Sequence, residues 1–125
     1  MKTFTDIEQS KKLAEFLPLE SADMYYFTII RDYPYSQGKI KTIAKIMDGS
    51  FSSDYDTPCW SLAALLKCLG KIKPQVYTPI LFLSKGKWIL QFAEYGHGNV
   101  CEVSCNNPVD ACYEMIIKFK ENNLL

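Results

Sequence analysis

Histidine is almost missing from this 125-residue chain, with His97 its single example. A zinc site would have to lean on cysteines, and no Cys-x-x-Cys occurs anywhere. A Gly-rich phosphate loop, a Ser-bearing nucleophile elbow and a His-Glu-x-x-His motif are also missing. Their absence removes the signatures of P-loop nucleotide binding, α/β-hydrolase catalysis and zinc proteolysis. Net charge is missing too: fourteen basic residues cancel fourteen acidic ones, so no global field draws nucleic acid or an anionic membrane. No apolar run nears the ~18 residues of a membrane span. The opening MKTFTDIEQSKKL lacks the apolar segment of a signal peptide. No linker, low-complexity tract or repeat divides the chain. Together these absences give the expectation of a single cytoplasmic domain over residues 1–125.

What is present points to a packed protein. At 125 residues and 48% hydrophobic, the chain can bury a core without disulfides or metal. Its five cysteines are an odd number and read as reduced, mostly buried thiols. Aromatic residues reach 14%, through eight Tyr and seven Phe, which points to large-ring packing or an aromatic surface. Charge is uneven within its zero total. Residues 39 to 87 carry eight lysines against three aspartates, and both flanks are net acidic.

Local signals order the chain as α-β-β-α-β-β-β-α. Thr5-Asp6-Ile7-Glu8 fits a capping box for a first helix that runs to about Phe16 and is stopped by Pro18. MYYFTIIR, from Met24 to Arg31, is aromatic and β-branched, hence a strand, and DYPYSQG turns it into KIKTIAKIM. There Ile40, Thr42, Ala44 and Ile46 share a face expected to be buried, while Lys39, Lys41 and Lys45 share one expected to be wet. After a polar loop, Thr57-Pro58 reads as the cap and first turn of CWSLAALLKCL, a helix apolar almost all round. Gly70 reads as its left-handed stop. VYTPILFLS and KWILQFAEY form a hairpin about Lys85-Gly86, and Pro79 marks the first of them as an edge or bulged strand. Gly96-His97-Gly98-Asn99 turns the chain into VCEVSC. Asn107-Pro108 then starts the last helix, whose apolar stripe is Val109, Cys112, Tyr113, Ile116 and Phe119. Hairpin-length connections make this an α+β fold: one mostly antiparallel sheet of about five strands, with the three helices on one face.

Candidate chemistry is sparse. His97, Cys101 and Cys105 have a metal-like spacing, but a strand over 99–105 holds the two cysteines about 13 Å apart, too far for one zinc. No metal or cofactor is expected. A Cys-His nucleophile would need His97 with Cys101 or, through the fold, with Cys59 or Cys112, the last two near helix N-termini where a thiolate is favoured. The plainer reading makes His97 a turn residue between glycines and the cysteines part of the core. Asp54 and Asp56 form a short paired-carboxylate motif, whose bland use is to complement the dipole of the helix after them. The lysines carry the best case for binding. Lys39, Lys41 and Lys45, with Tyr33 and Tyr35 nearby in sequence, would suit single-stranded nucleic acid. The plainer reading is a solvated face that guards a sheet edge against aggregation.

Three blocks carry a resemblance: EQSKKLAEFLPLESADM (Glu8 to Met24), PCWSLAALL (Pro58 to Leu66) and NPVDACYEMI (Asn107 to Ile116). They resemble the signature blocks of a family of small uncharacterised proteins from gut anaerobic bacteria, often encoded in phage-like or other mobile regions. The blocks stand in the family's order, and the closing ENNLL is similar too. The family has no assigned activity, cofactor or catalytic residue, so the resemblance implies no site. The resulting expectation is a non-enzymatic binding or accessory protein acting through protein–protein contacts. Its partner is another protein or a second copy of the chain, with no membrane involved. Nucleic-acid binding by the lysine and tyrosine face is one alternative. A small enzyme with a Cys/His or paired-Asp site is the other.

Overall fold

The computed structural model describes residues 1–30, 40–94, 96 and 98–125. The DYPYSQG turn, with Tyr33 and Tyr35, lies outside the described residues, as do Lys39 and His97. The chain gathers into two compact units: Asp6–Trp60, and Met1–Thr5 together with Ser61–Leu125.

In the first unit, helix α1 (Ile7–Ala14) begins one residue later than the Thr5–Glu8 box implies. Asp6 Oδ1 accepts the Gln9 amide at 2.8 Å, and Gln9 Oε1 accepts the Asp6 amide at 3.1 Å. Two overlapping boxes exist in this stretch, and the local rule does not choose between them. A 3₁₀ turn (Leu19–Ser21) follows Pro18, and the Ser21 hydroxyl accepts the indole N–H of buried Trp60 at 2.9 Å. Strand β1 (Met24–Ile30) lies between β2 (Ile40–Ile46) and β3 (Thr57–Cys59), antiparallel to both.

Strand β3 corrects the helix expected from Thr57-Pro58. Pro58 stands opposite Tyr25 on an outer strand, where a missing N–H is tolerated, and backbone pairing with β1 overrides the local cap signal. The faces of the sheet need a second correction. Register puts Tyr25, Phe27, Ile43 and Lys45 on one side, with Met24, Tyr26, Thr28, Thr42, Ala44 and Ile46 on the other. The side expected to be wet holds deeply buried Tyr25, and the side expected to be buried is covered only in part, by α1 near Tyr26 and Cys59. Tyr25 is 1% exposed, with Phe51 edge-on at 5.4 Å and Phe27 at 6.0 Å, whereas Ile46 is 76% exposed. The aromatic bulk of β1 decides the matter, not the alternation within β2, and Lys45 lays its stem along those rings.

The second unit holds α2 (Leu62–Gly70), β4 (Tyr77–Ser84), β5 (Lys87–Glu94), β6 (Gly98–Cys105) and α3 (Pro108–Glu121). Ser61 caps α2, its Oγ accepting the Ala64 amide at 3.2 Å. Gly70 is the last helical residue and not a left-handed stop; Lys73, at φ 40°, takes the left-handed position. The β4–β5 hairpin turns at Lys85-Gly86 with φ values of 51° and 78°, the type I′ pattern. Strand order is β4-β5-β6, so Pro79 sits on an outer strand as expected. Asn107 Oδ1 accepts the Asp110 amide at 2.8 Å and Pro108 opens α3, again as expected. Asp110 also pairs with Lys2 at 2.9 Å. One face of the sheet buries Leu90, Phe92 and Val103 against α3, with the Phe92 and Phe119 rings 4.6 Å apart. Helix α2 packs beside α3 and reaches β4.

The class is α+β and the element order is the expected one with β3 added. The single sheet of about five strands is replaced by two of three strands each. Nor do the helices share one face: α1 goes with the first sheet, α2 and α3 with the second. Strand pairing is non-local, so strand signals alone do not say which strand continues which sheet. Among the described residues, no helix is long and apolar enough to cross a membrane.

Candidate functional site

Two of the cysteines proposed as nucleophiles, Cys59 and Cys112, are inward-facing. Cys59 lies in β3 with 0% exposure, its thiol hydrogen-bonded with the Tyr26 hydroxyl. Cys112 lies one turn into α3, also at 0% exposure; burial, and after it neighbouring Cys105, pushes its thiol up to about 12. Such a shift is worth a few kcal/mol at ~1.4 per unit, against roughly 1 kcal/mol for a helix dipole, so desolvation wins. Cys112 is thus a protonated core thiol, the plainer of its two readings, and the thiolate that a helix N-terminus would favour does not form. Cys105 is pushed up as well, by burial first and then by Glu114 and Asp110.

Cys101 and Cys105 both lie on β6, in the extended spacing that keeps them off one metal ion. Among the described residues, no group of three or more His, Cys, Asp and Glu side chains could hold a metal. The paired carboxylates are divided in role. Asp54 is exposed in the loop before β3, while Asp56 clamps that loop, its Oδ2 accepting the Ser52 amide at 2.8 Å.

Of the lysine face, Lys41 stands opposite Ile29 in the β1–β2 register, and Lys45 is already engaged. Its Nζ lies 3.0 Å from Asp48 Oδ2 and 5.4 and 5.3 Å from the ring centres of Tyr25 and Phe27. Hydrogen bonds with Tyr25 and Asp48 raise the ammonium's pKa. Asp48 in turn is held at about 2 by Lys45, the Ser50 amide and the Tyr25 hydroxyl, the last at 2.9 Å. This is an internally compensated cation.

The chain matches no protein-family model, no curated protein and no solved structure. What its surfaces can do follows from geometry, and register builds two that the sequence did not mark. The first is the outer face of β4-β5-β6, opposite the one that α3 covers. It carries Ile80, Phe82, Ile89 and Ala93, with Ile80 43% exposed. A cross-strand pair stands among them, Gln91, opposite Ile80, donating through Nε2 to Glu102 Oε1 at 2.6 Å.

The second is a recess of about 260 Å³ in the other unit, where α1 meets β1, β2 and β3. Five hydroxyl side chains line it, those of Tyr26, Thr28, Thr42, Tyr55 and Thr57, together with Lys11 and Ile7. Thr28 and Thr42 are far apart in sequence and meet only because β1 and β2 pair in that register. The one sequence signal such threonines give is strand propensity, which says nothing of a site.

Proposed function

We propose that this chain is a non-enzymatic binding protein, an accessory of a phage or other mobile element, that acts through protein–protein contacts. The observation that carries the reading is the outer face of β4-β5-β6. A sheet face left to water normally alternates toward polar side chains. Here Ile80, Phe82, Ile89 and Ala93 share it with Thr78, Ser104 and the hydrogen-bonded pair Gln91–Glu102, and Ile80 is 43% exposed. An apolar cluster interrupted by one hydrogen-bonded polar pair can serve as a contact surface. The mobile-element part of the reading rests on the three sequence blocks alone.

The alternatives have less behind them. Lys45 already has Asp48 and two aromatic rings as partners, which takes that lysine's charge out of the nucleic-acid reading. An enzyme built on Cys59 or Cys112 would need a thiol that substrate can reach, and both are at 0% exposure.

Affinity purification of the tagged protein from its native host, with sedimentation velocity of the purified chain, tests the proposal. The wild type should retain a stoichiometric partner or form a dimer. Ile80→Glu should release that contact while the thermal midpoint stays unchanged. A monomer without any partner refutes the reading, and so does a partner that Ile80→Glu retains.

A further inference from the structure

The recess in the first unit has a chemistry of its own. Thr28 and Thr42 are cross-strand partners, and Thr57 stands opposite Tyr26, so all four hydroxyls project from one side of the sheet. Branching at Cβ restricts χ1 of the threonines, so the strands set their hydroxyl directions in advance. Tyr26 is tied to Cys59 by a hydrogen bond, and burial keeps its phenol protonated and able to donate. Tyr55 stands at the rim, 85% exposed, offering a ring to whatever enters.

Lys11 is the only charged side chain among the described lining residues, and it forms no ion pair among the described residues. The described lining therefore combines one positive charge with hydroxyls that both donate and accept; no carboxylate is among the described lining residues, while the Asp6 charge is felt at Tyr26. A cationic ligand would meet Lys11. An apolar ligand would leave the hydroxyls without partners. A dianionic phosphate group favours several cations or a bidentate Arg, and the described lining holds a single Lys and no Arg. Its volume of about 260 Å³ lies just below the ~300 Å³ at which pockets for drug-sized ligands begin.

We propose that this recess binds a small hydroxylated carboxylate of the hydroxy-acid or sugar-acid class, a role separate from the protein contact above. Lys11 holds the carboxylate, Thr28, Thr42, Thr57 and Tyr26 exchange hydrogen bonds with the ligand hydroxyls, and Tyr55 packs on its C–H face.

Amide NMR titration at low salt tests this, with D-gluconate as probe and D-glucose as its neutral counterpart. Gluconate should shift the amides of Thr28, Thr42 and Thr57 saturably, with a Kd of about 1 mM or tighter. Glucose should bind about tenfold more weakly, the difference a charge-assisted hydrogen bond makes. Lys11→Met should erase that preference, and Thr42→Val, at an exposed position, should weaken both sugars. Absence of saturable shifts at these residues up to about 10 mM overturns the proposal. Equal binding of the two probes that Lys11→Met leaves unaltered overturns it too. The wild-type comparison stands whether or not either variant folds.

Discussion

Replacing Phe119 with alanine should remove the largest of the side chains that α3 buries. Phe119 is 3% exposed, and its ring centre lies 4.6 Å from that of Phe92 and 6.3 Å from that of Tyr77. Truncating a buried Phe costs about 3–5 kcal/mol, from lost transfer free energy and the cavity left behind. Of that, about 0.5–1.5 kcal/mol belongs to the ring pairs. A cleft of about 140 Å³, bordered by Cys101, Lys118 and Leu124, already adjoins Phe119, so the new space opens onto it rather than standing sealed. The lower end of the range follows, about 3 kcal/mol. Against a total stability of about 5–15 kcal/mol that is a large share. It corresponds to a fall in thermal midpoint of roughly 10 °C for a chain of this size. Guanidinium unfolding followed by far-UV circular dichroism gives the difference directly. A double-mutant cycle with Phe92→Ala isolates the ring pair, with an expected coupling of about 0.5–1.5 kcal/mol. A loss below about 1 kcal/mol, or a coupling indistinguishable from zero, refutes the packing described here.

Two further predictions concern pH. An unfolded cysteine ionises near ~8.5, whereas folded Cys112 keeps its proton to about 12. The native advantage is complete below the first value and shrinks as pH rises toward the second. Urea midpoints should therefore fall more steeply between about pH 8.5 and pH 10 in the wild type than in Cys112→Ala, and equal slopes refute the assignment. Asp48 works at the acid end. Its carboxyl, held at about 2 by Lys45, Ser50 and Tyr25, stabilises the fold above the unfolded value of ~3.9 and loses that effect as pH falls through 2. Asp48→Asn should thus be less stable than the wild type at about pH 6 and converge with it near pH 2; a gap constant with pH refutes the network.

Features decided within a few residues were legible in advance. Asn107-Pro108 starts α3, Lys85-Gly86 turns the hairpin, and Pro79 marks an outer strand, because each depends on chemistry spanning one turn of chain. The misreadings arose where two local signals overlapped or a distant strand intervened. Thr5 and Asp6 both fit a cap, and Asp6 holds it. Thr57-Pro58 has the form of a helix start, yet pairing with β1 draws it into a strand and passes the cap to Ser61. Cys112 was legible as a core residue from its place in the apolar stripe, and its raised thiol follows from that burial.

Neither proposed surface was legible in the sequence. Alternation in β2 suggested that Ile46 is buried and Lys45 wet, but Ile46 is 76% exposed and Lys45 lies against the Tyr25 and Phe27 rings of β1. The sequence by itself determined the α+β class, most element positions and the inward stripe of α3, since periodicity and capping act over one or two turns. Tertiary structure alone decided that the strands form two sheets and that Ile80 and Ile89 share the face opposite α3. It alone brought Thr28, Thr42 and Thr57 around one recess beside Lys11. The reason is register: shifting a strand by one residue turns every side chain to the opposite face, and pairing with distant chain, not local chemistry, selects that register.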